Sequence, residues 1–214
     1  EKFKFIVQKE YQVFGIEFKY SNHFVSKENP KETPDHYSIF AYWVSNKIKD
    51  ISDSKILDVG NSKVANLFNS INHDVTALVL EEPVDDISEV NWTIQDISKN
   101  LNFIDDSFDI FTSPSTLHLI GQGRYGDEKN PLALIKFIKE LKRVMRQDSK
   151  MYLMLPLGED QLLYGFHFIY SLDTIKKMFS DWVLVDYMVD NEVKFGFDKY
   201  HKAKSDRFDQ DIDV

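Results

Sequence analysis

The chain has 214 residues, no cysteine and a formal net charge of −9, from 35 acidic and 26 basic side chains. That balance argues against an electrostatic nucleic-acid binder, since neutralising phosphates needs a basic face, and the lack of thiols excludes disulfides, zinc-thiolate sites and thiol nucleophiles. With 43% hydrophobic and 14% aromatic residues, the length is enough to bury one substantial core.

Residues 1–35 carry short alternating patches (Phe3, Phe5, Val7; Val13, Ile16, Phe18) and then the polar SKENPKETPD, and read as a small strand-rich N-terminal extension ending in a loop. The start, EKFKFIVQKEYQVFG, is too charged for a secretory signal, and no run of about 18 apolar residues exists to span a membrane. The expected location is therefore cytoplasmic. Asp35 can cap a helix in which Tyr37, Phe40, Val44 and Ile48 recur at helical spacing.

From Lys55 the pattern alternates between strand and helix: KILDV, a helix over 64–71, VTALVL, NWTI, FDIFT, a helix over 131–145, and MYLMLPL. The strands are continuous apolar runs, as a parallel sheet covered on both faces requires. The second helix presents Leu134, Ile138, Leu141 and Met145 on one face. A helix over 172–179 follows, and then WVLVDYMV and EVKFGF, joined by Asp190 and Asn191, read as an antiparallel C-terminal edge hairpin. The expected fold class is α/β, Rossmann-like and doubly wound, with residues 36–199 as the main domain and 200–214 as a charged tail.

Two segments carry the candidate chemistry. KILDVG runs from a strand into a tight turn and a helix, where doubly wound proteins bind nucleotides. SPSTLHLIGQGRYGD, residues 113–127, follows a buried strand, where such folds place catalytic loops. The His118 imidazole, with an ordinary pKa of about 6.5, can take a proton from a hydroxyl or amine; equally, it can be a hydrogen-bonded structural residue. Arg124 offers a planar fork to a carboxylate or phosphate, and Tyr125 a face for a sugar ring. Asp127 can fix Arg124, bind a hydroxyl or act as a base. In the alternative reading the loop is self-braced, with Arg124 and Asp127 paired to each other or to main-chain carbonyls. His167 lies beyond the last parallel strand, above the same edge. No metal-ligand spacing is present, so no metal is expected.

The order DVG, QDISKNLNFIDDSFDIF, STLHLI, ELKRVM, MYLMLP, over about residues 36–199, resembles the class I S-adenosylmethionine-dependent methyltransferases. The resemblance implies S-adenosylmethionine as cofactor, with the Gly60 turn against its amino-acid end, Asp58 near its ammonium, Glu81 (or Glu82) on the ribose hydroxyls and Asp96 near the adenine amine. More narrowly, HLIGQGRYGD and LPLG-to-FHFIYS are similar to a bacterial methyltransferase-like family of uncharacterised reaction, with a G-x-GRYGD loop, whose members look like accessories of cell-surface polysaccharide or sugar biosynthesis. His118, Asp127 and His167 are the catalytic candidates on this resemblance, and Arg124 and Tyr125 the substrate-binding ones.

Three departures from these patterns leave a second reading open. The turn GNSKV keeps only Gly60, the family asparagine two residues before His167 is Gly165, and Gln147, Asp148 and Ser149 replace the usual PGG. The chain is then either a methyltransferase acting on a sugar or surface-polysaccharide precursor, or a non-catalytic relative that binds a sugar nucleotide or a pathway partner.

Overall fold

The computed structural model describes residues 19–21, 36–60, 63–83 and 87–188. Its centre is a five-stranded parallel sheet of β2 (Lys55–Val59), β3 (Asp74–Val79), β4 (Val90–Ile94), β5 (Phe108–Pro114) and β6 (Met145–Met154), in the order β4-β3-β2-β5-β6. The chain builds outward from β2 to β4, then returns to the other side of β2 to place β5. That reversal makes the β2 and β5 ends the topological switch point, where open α/β sheets bind ligands. The doubly wound α/β expectation is borne out.

Helices cover both faces. On one face Phe40, Val44 and Ile48 of α1 (His36–Ile48) pack on Ile56, Val75, Ala77 and Ile110. This is the stripe the sequence periodicity predicts. On the other, Phe137 and Leu141 of α3 (Ala133–Val144) and Met178 of α4 (Leu172–Met178) meet Leu57, Leu78 and Phe111. Each of the inner strands β2 and β5 feeds both cores, which is why their sequences are continuously apolar. The short helix α2 (Lys63–Ser70) follows β2 and buries Ala65, Asn66 and Asn69.

A smaller sheet lies beside the C-terminal end of the main one. Strand β1 (Lys19–Ser21) runs parallel to β7 (Gln161–Leu163), which pairs antiparallel with β8 (His167–Ile169). Backbone bonds from Phe168 N–H to the His118 carbonyl (2.9 Å) and from Tyr170 N–H to the Pro156 carbonyl (3.1 Å) fasten β8 to the loop after β5 and to the chain after β6.

The antiparallel pair thus falls at 161–169 and not in WVLVDYMV, where it was expected. Residues 183–188 form no strand, and Val183 and Val185 are 86% and 91% exposed. An alternating apolar pattern gives a strand only where an edge pairs with it, and this segment is held instead by Lys47, which pairs with Asp186. EVKFGF, the 1–18 patches and the 200–214 tail lie outside the described residues. The position expected to hold PGG is a bulge: three extra residues enter β6 opposite β5, where the register steps from Phe108–Met145 to Ile110–Lys150. There Asp148 takes φ +63°, a left-handed conformation that aspartate tolerates better than most residues.

Two clamps explain motifs that the sequence left without a physical role. The Arg143 guanidinium, in ELKRVM, donates to the carbonyls of Leu101 (2.9 Å) and Phe103 (2.7 Å) and to Glu140 and Asp105. It thereby pins the LNFIDD segment to α3. Asp160 accepts from the Ser171 amide and from the Ser171 and Thr174 hydroxyls, while Ser171 caps α4 by accepting from the Thr174 amide.

Candidate functional site

Strand register lines up the candidate residues along one edge. Val59 pairs with Leu78, Val79 with Ile94 and Asp58 with Thr112. The residues that leave these strands, Gly60, Glu81, Asp96 and the loop from Ser115, therefore follow one another across the C-terminal ends of β2 to β5. A shallow depression of about 440 Å³ lined by Lys49–Asp53, Ile71 and Asn72 lies at the opposite end of the strands, remote from these groups.

Gly60 has φ +150°, and a Cβ there would come within 2.6 Å of Thr116 Oγ1 and 2.8 Å of the Pro114 carbonyl oxygen. The glycine is required because the exits of β2 and β5 touch. Asn61 and Ser62, the changed part of the turn, lie outside the described residues. Glu81 is exposed just past the end of β3. Asp96 accepts the Ser98 amide on Oδ1 (2.8 Å), which leaves Oδ2 uncommitted among the described residues. These two carboxylates at adjacent strand ends fit the hydroxyls and amine of a ribosyl-adenine group.

Asp58, expected near the cofactor's ammonium, is turned into the sheet. It shares a sheet face with Ile56, is fully buried, and accepts the Thr112 hydroxyl on Oδ1 at 2.5 Å. Burial pushes its carboxyl up to about 7, against the lowering influence of Thr112 and Asn66. Asn66 stands near without closing a hydrogen bond, because Asp58 Oδ2 and both Asn66 amide atoms lack a partner among the described residues. Neither Thr112 nor Asn66 carries a sequence signal, since their meeting with Asp58 depends on register and on the docking of α2.

The two catalytic histidine candidates do come together. His118 and His167 are 4% and 7% exposed, with ring centres 5.3 Å apart in an edge-to-face arrangement. The cause is non-local: the Phe168 bond to the His118 carbonyl draws β8 over the loop. His118 is held well below the ordinary histidine pKa, first by burial and then by His167, Arg124 and His36. It is a neutral imidazole at pH 7, and its Nδ1 has no hydrogen-bond partner among the described residues.

Asp127 does not pair with Arg124. Its carboxylate accepts the amides of Gly123 (3.1 Å) and Tyr125 (3.2 Å), bracing the loop from within. Arg124 instead lies over Phe166, 4.3 Å from the ring centre, and 5.2 Å from that of Tyr125. Phe166 is a contact the sequence reading missed. Gly165 sits exposed in the β7–β8 turn at φ +74°, a conformation that asparagine also tolerates, so the exchange relative to the family pattern preserves the turn. Among the described residues no three His, Asp or Glu side chains gather as a metal site, and no helix is long and apolar enough to cross a membrane.

The model of the family described as "Caenorhabditis protein of unknown function, DUF268" matches residues 57–212. No curated protein matches the chain. Among solved structures, the YcgJ protein of Bacillus subtilis is similar over 69% of this chain and 68% of its own, with 18% identity and a TM-score of 0.51. A Listeria monocytogenes protein described as a candidate S-adenosylmethionine dependent methyltransferase is similar over 73% of this chain and 90% of its own, at 10% identity and a TM-score of 0.50. At these identities the likeness establishes a methyltransferase-like Rossmann fold.

Proposed function

We propose, from the premise that the chain belongs to the DUF268 family, that it is an S-adenosylmethionine-dependent methyltransferase acting on a sugar or surface-polysaccharide precursor. The observation that carries this reading is the alignment of Gly60, Glu81 and Asp96 at the switch point, beside a buried histidine pair. The sugar and polysaccharide part rests on the resemblance of the GQGRYGD loop to the bacterial family, although the matching family is described from Caenorhabditis.

Bound S-adenosylmethionine supplies an electrophilic methyl group. The Glu81 carboxylate would hold the ribose hydroxyls and Asp96 the adenine amine. The Gly60 turn would lie against the amino-acid end. His118, a neutral imidazole, is the candidate general base; its depressed basicity limits this role to a proton already acidified as the new bond forms. His167 orients that ring from the side. Asp127 moves from the catalytic candidates to loop positioning.

The inward-facing Asp58 and the contact of Gly60 with Thr116 favour the second reading, a non-catalytic relative. Thermal unfolding with and without S-adenosylmethionine separates the two. Ligand at about 100 times its dissociation constant adds about 2.7 kcal/mol, a shift of roughly 5 to 11 °C for this size. No shift at millimolar ligand overturns the methyltransferase reading.

A further inference from the structure

The loop Gly121–Asn130 meets the β7–β8 turn through two cation–aromatic contacts. Arg124 lies over Phe166, and the Lys129 ammonium stands 5.8 Å from the centre of the Tyr164 ring. The two aromatic supports are two residues apart on one turn, closed by the bond from Phe166 N–H to the Leu163 carbonyl. Gly123 makes room for this arrangement, since a Cβ there would come within 2.7 Å of Lys129 Cγ.

Neither cation meets a carboxylate among the described residues. The acids beside them are engaged elsewhere: Asp127 with the Gly123 and Tyr125 amides, and Glu128 with Lys99 at 3.2 Å. This is unexpected in a chain with nine more acids than bases. Stacking holds a guanidinium by its face and leaves its N–H edge open to oxyanions. Two cations from one loop, set against one turn, suit a group with more than one negative charge better than a single carboxylate. Exposed aromatic faces flank them, with Tyr125 56% and Tyr164 42% accessible.

We infer that this patch binds a phosphate-bearing ligand with a sugar or base ring, its phosphate oxygens on Arg124 and Lys129 and its ring against Tyr125 and Tyr164. The inference rests on the proposed sugar-precursor reading to the extent that it names the acceptor's chemical class. Arg124 and Lys129 are exposed, so binding weakens as salt rises.

The test is calorimetric titration of uridine diphosphate and of inorganic pyrophosphate into the full chain at low salt. The wild type binds uridine diphosphate more tightly than pyrophosphate. The double variant Arg124→Ala, Lys129→Ala binds it at least tenfold more weakly, while Lys49→Ala, which removes an exposed cation at the opposite end of the sheet, binds as the wild type does. Unfolding of the unliganded double variant within about 2 °C of wild type shows the fold intact. No binding of either probe at millimolar concentration, or unchanged binding by the double variant, overturns the inference. Equal affinity for the two probes overturns the role of the aromatic faces. S-adenosylmethionine titrated into the same proteins keeps the proposals separate: uridine diphosphate binding without S-adenosylmethionine binding defeats the cofactor reading and leaves the phosphate site standing.

Discussion

Replacing Asp58 by Asn makes the protein more stable at neutral and alkaline pH. Asp58 is fully buried, and its Oδ2 has no partner among the described residues. Burial raises its pKa from 3.8 to about 7. Since the folded state holds this proton more tightly than the unfolded chain, the native state is favoured below about pH 4, where both states are protonated. Stability is then lost as pH rises from about 4 to about 7 and stays lost above it. Three pKa units correspond to about 4 kcal/mol. The Asp58→Asn side chain keeps an acceptor for the Thr112 hydroxyl and carries no charge. The difference in unfolding free energy between variant and wild type, from urea melts at pH 4.5, 6 and 8, moves toward the variant by about 3 to 4 kcal/mol across that range. Taking the difference cancels the other carboxylates, which drive ordinary acid denaturation in the opposite direction. Two parallel curves, constant to about 0.5 kcal/mol, refute the picture of a strained buried carboxyl.

Other consequences follow from the clamps and the core. Arg143→Ala frees the LNFIDD segment from α3 and costs about 2 to 3 kcal/mol, an unfolding midpoint lower by about 4 to 12 °C; a loss under about 2 °C counts against the clamp. Phe137→Ala empties a fully buried site facing Phe111 and costs about 3 to 5 kcal/mol by urea denaturation, and an unchanged midpoint contradicts the packing. Asp127→Ala releases two loop amides at about 1 kcal/mol each, so hydrogen exchange at Gly123 and Tyr125 accelerates about fivefold, whereas unchanged exchange shows that the carboxylate braces nothing.

What the sequence made legible is local or periodic. KILDV is read to its ends, and Phe40, Val44 and Ile48 disclose the buried face of α1, because burial on one face imprints a period on the chain. His118 and His167 are both visible as candidates, yet their contact depends on β8, a strand of three residues, folding back over a loop 49 residues earlier in the chain. Strands that short carry no periodicity. The reverse failure is WVLVDYMV, where residues 183–188 alternate but pair with no strand among the described residues. For Asp127 the obstacle is competition: Arg124 and the Gly123 and Tyr125 amides are all within four residues, and only the loop geometry gives the carboxylate to the amides. Asp58 is legible as a strand-end acid, but its direction was set by the Thr112 register.

The most direct test of the site is hydrogen exchange of the full chain with and without saturating S-adenosylmethionine, read residue by residue. A ligand held at the C-terminal strand ends slows exchange at Gly60 and the start of α2, at Glu81–Glu82, at Asp96–Ser98 and at Ser115–His118, and leaves Lys49–Asp53 unchanged. Protection absent from those segments, or confined to the depression around Lys49–Asp53, contradicts the assignment of the switch point as the cofactor site.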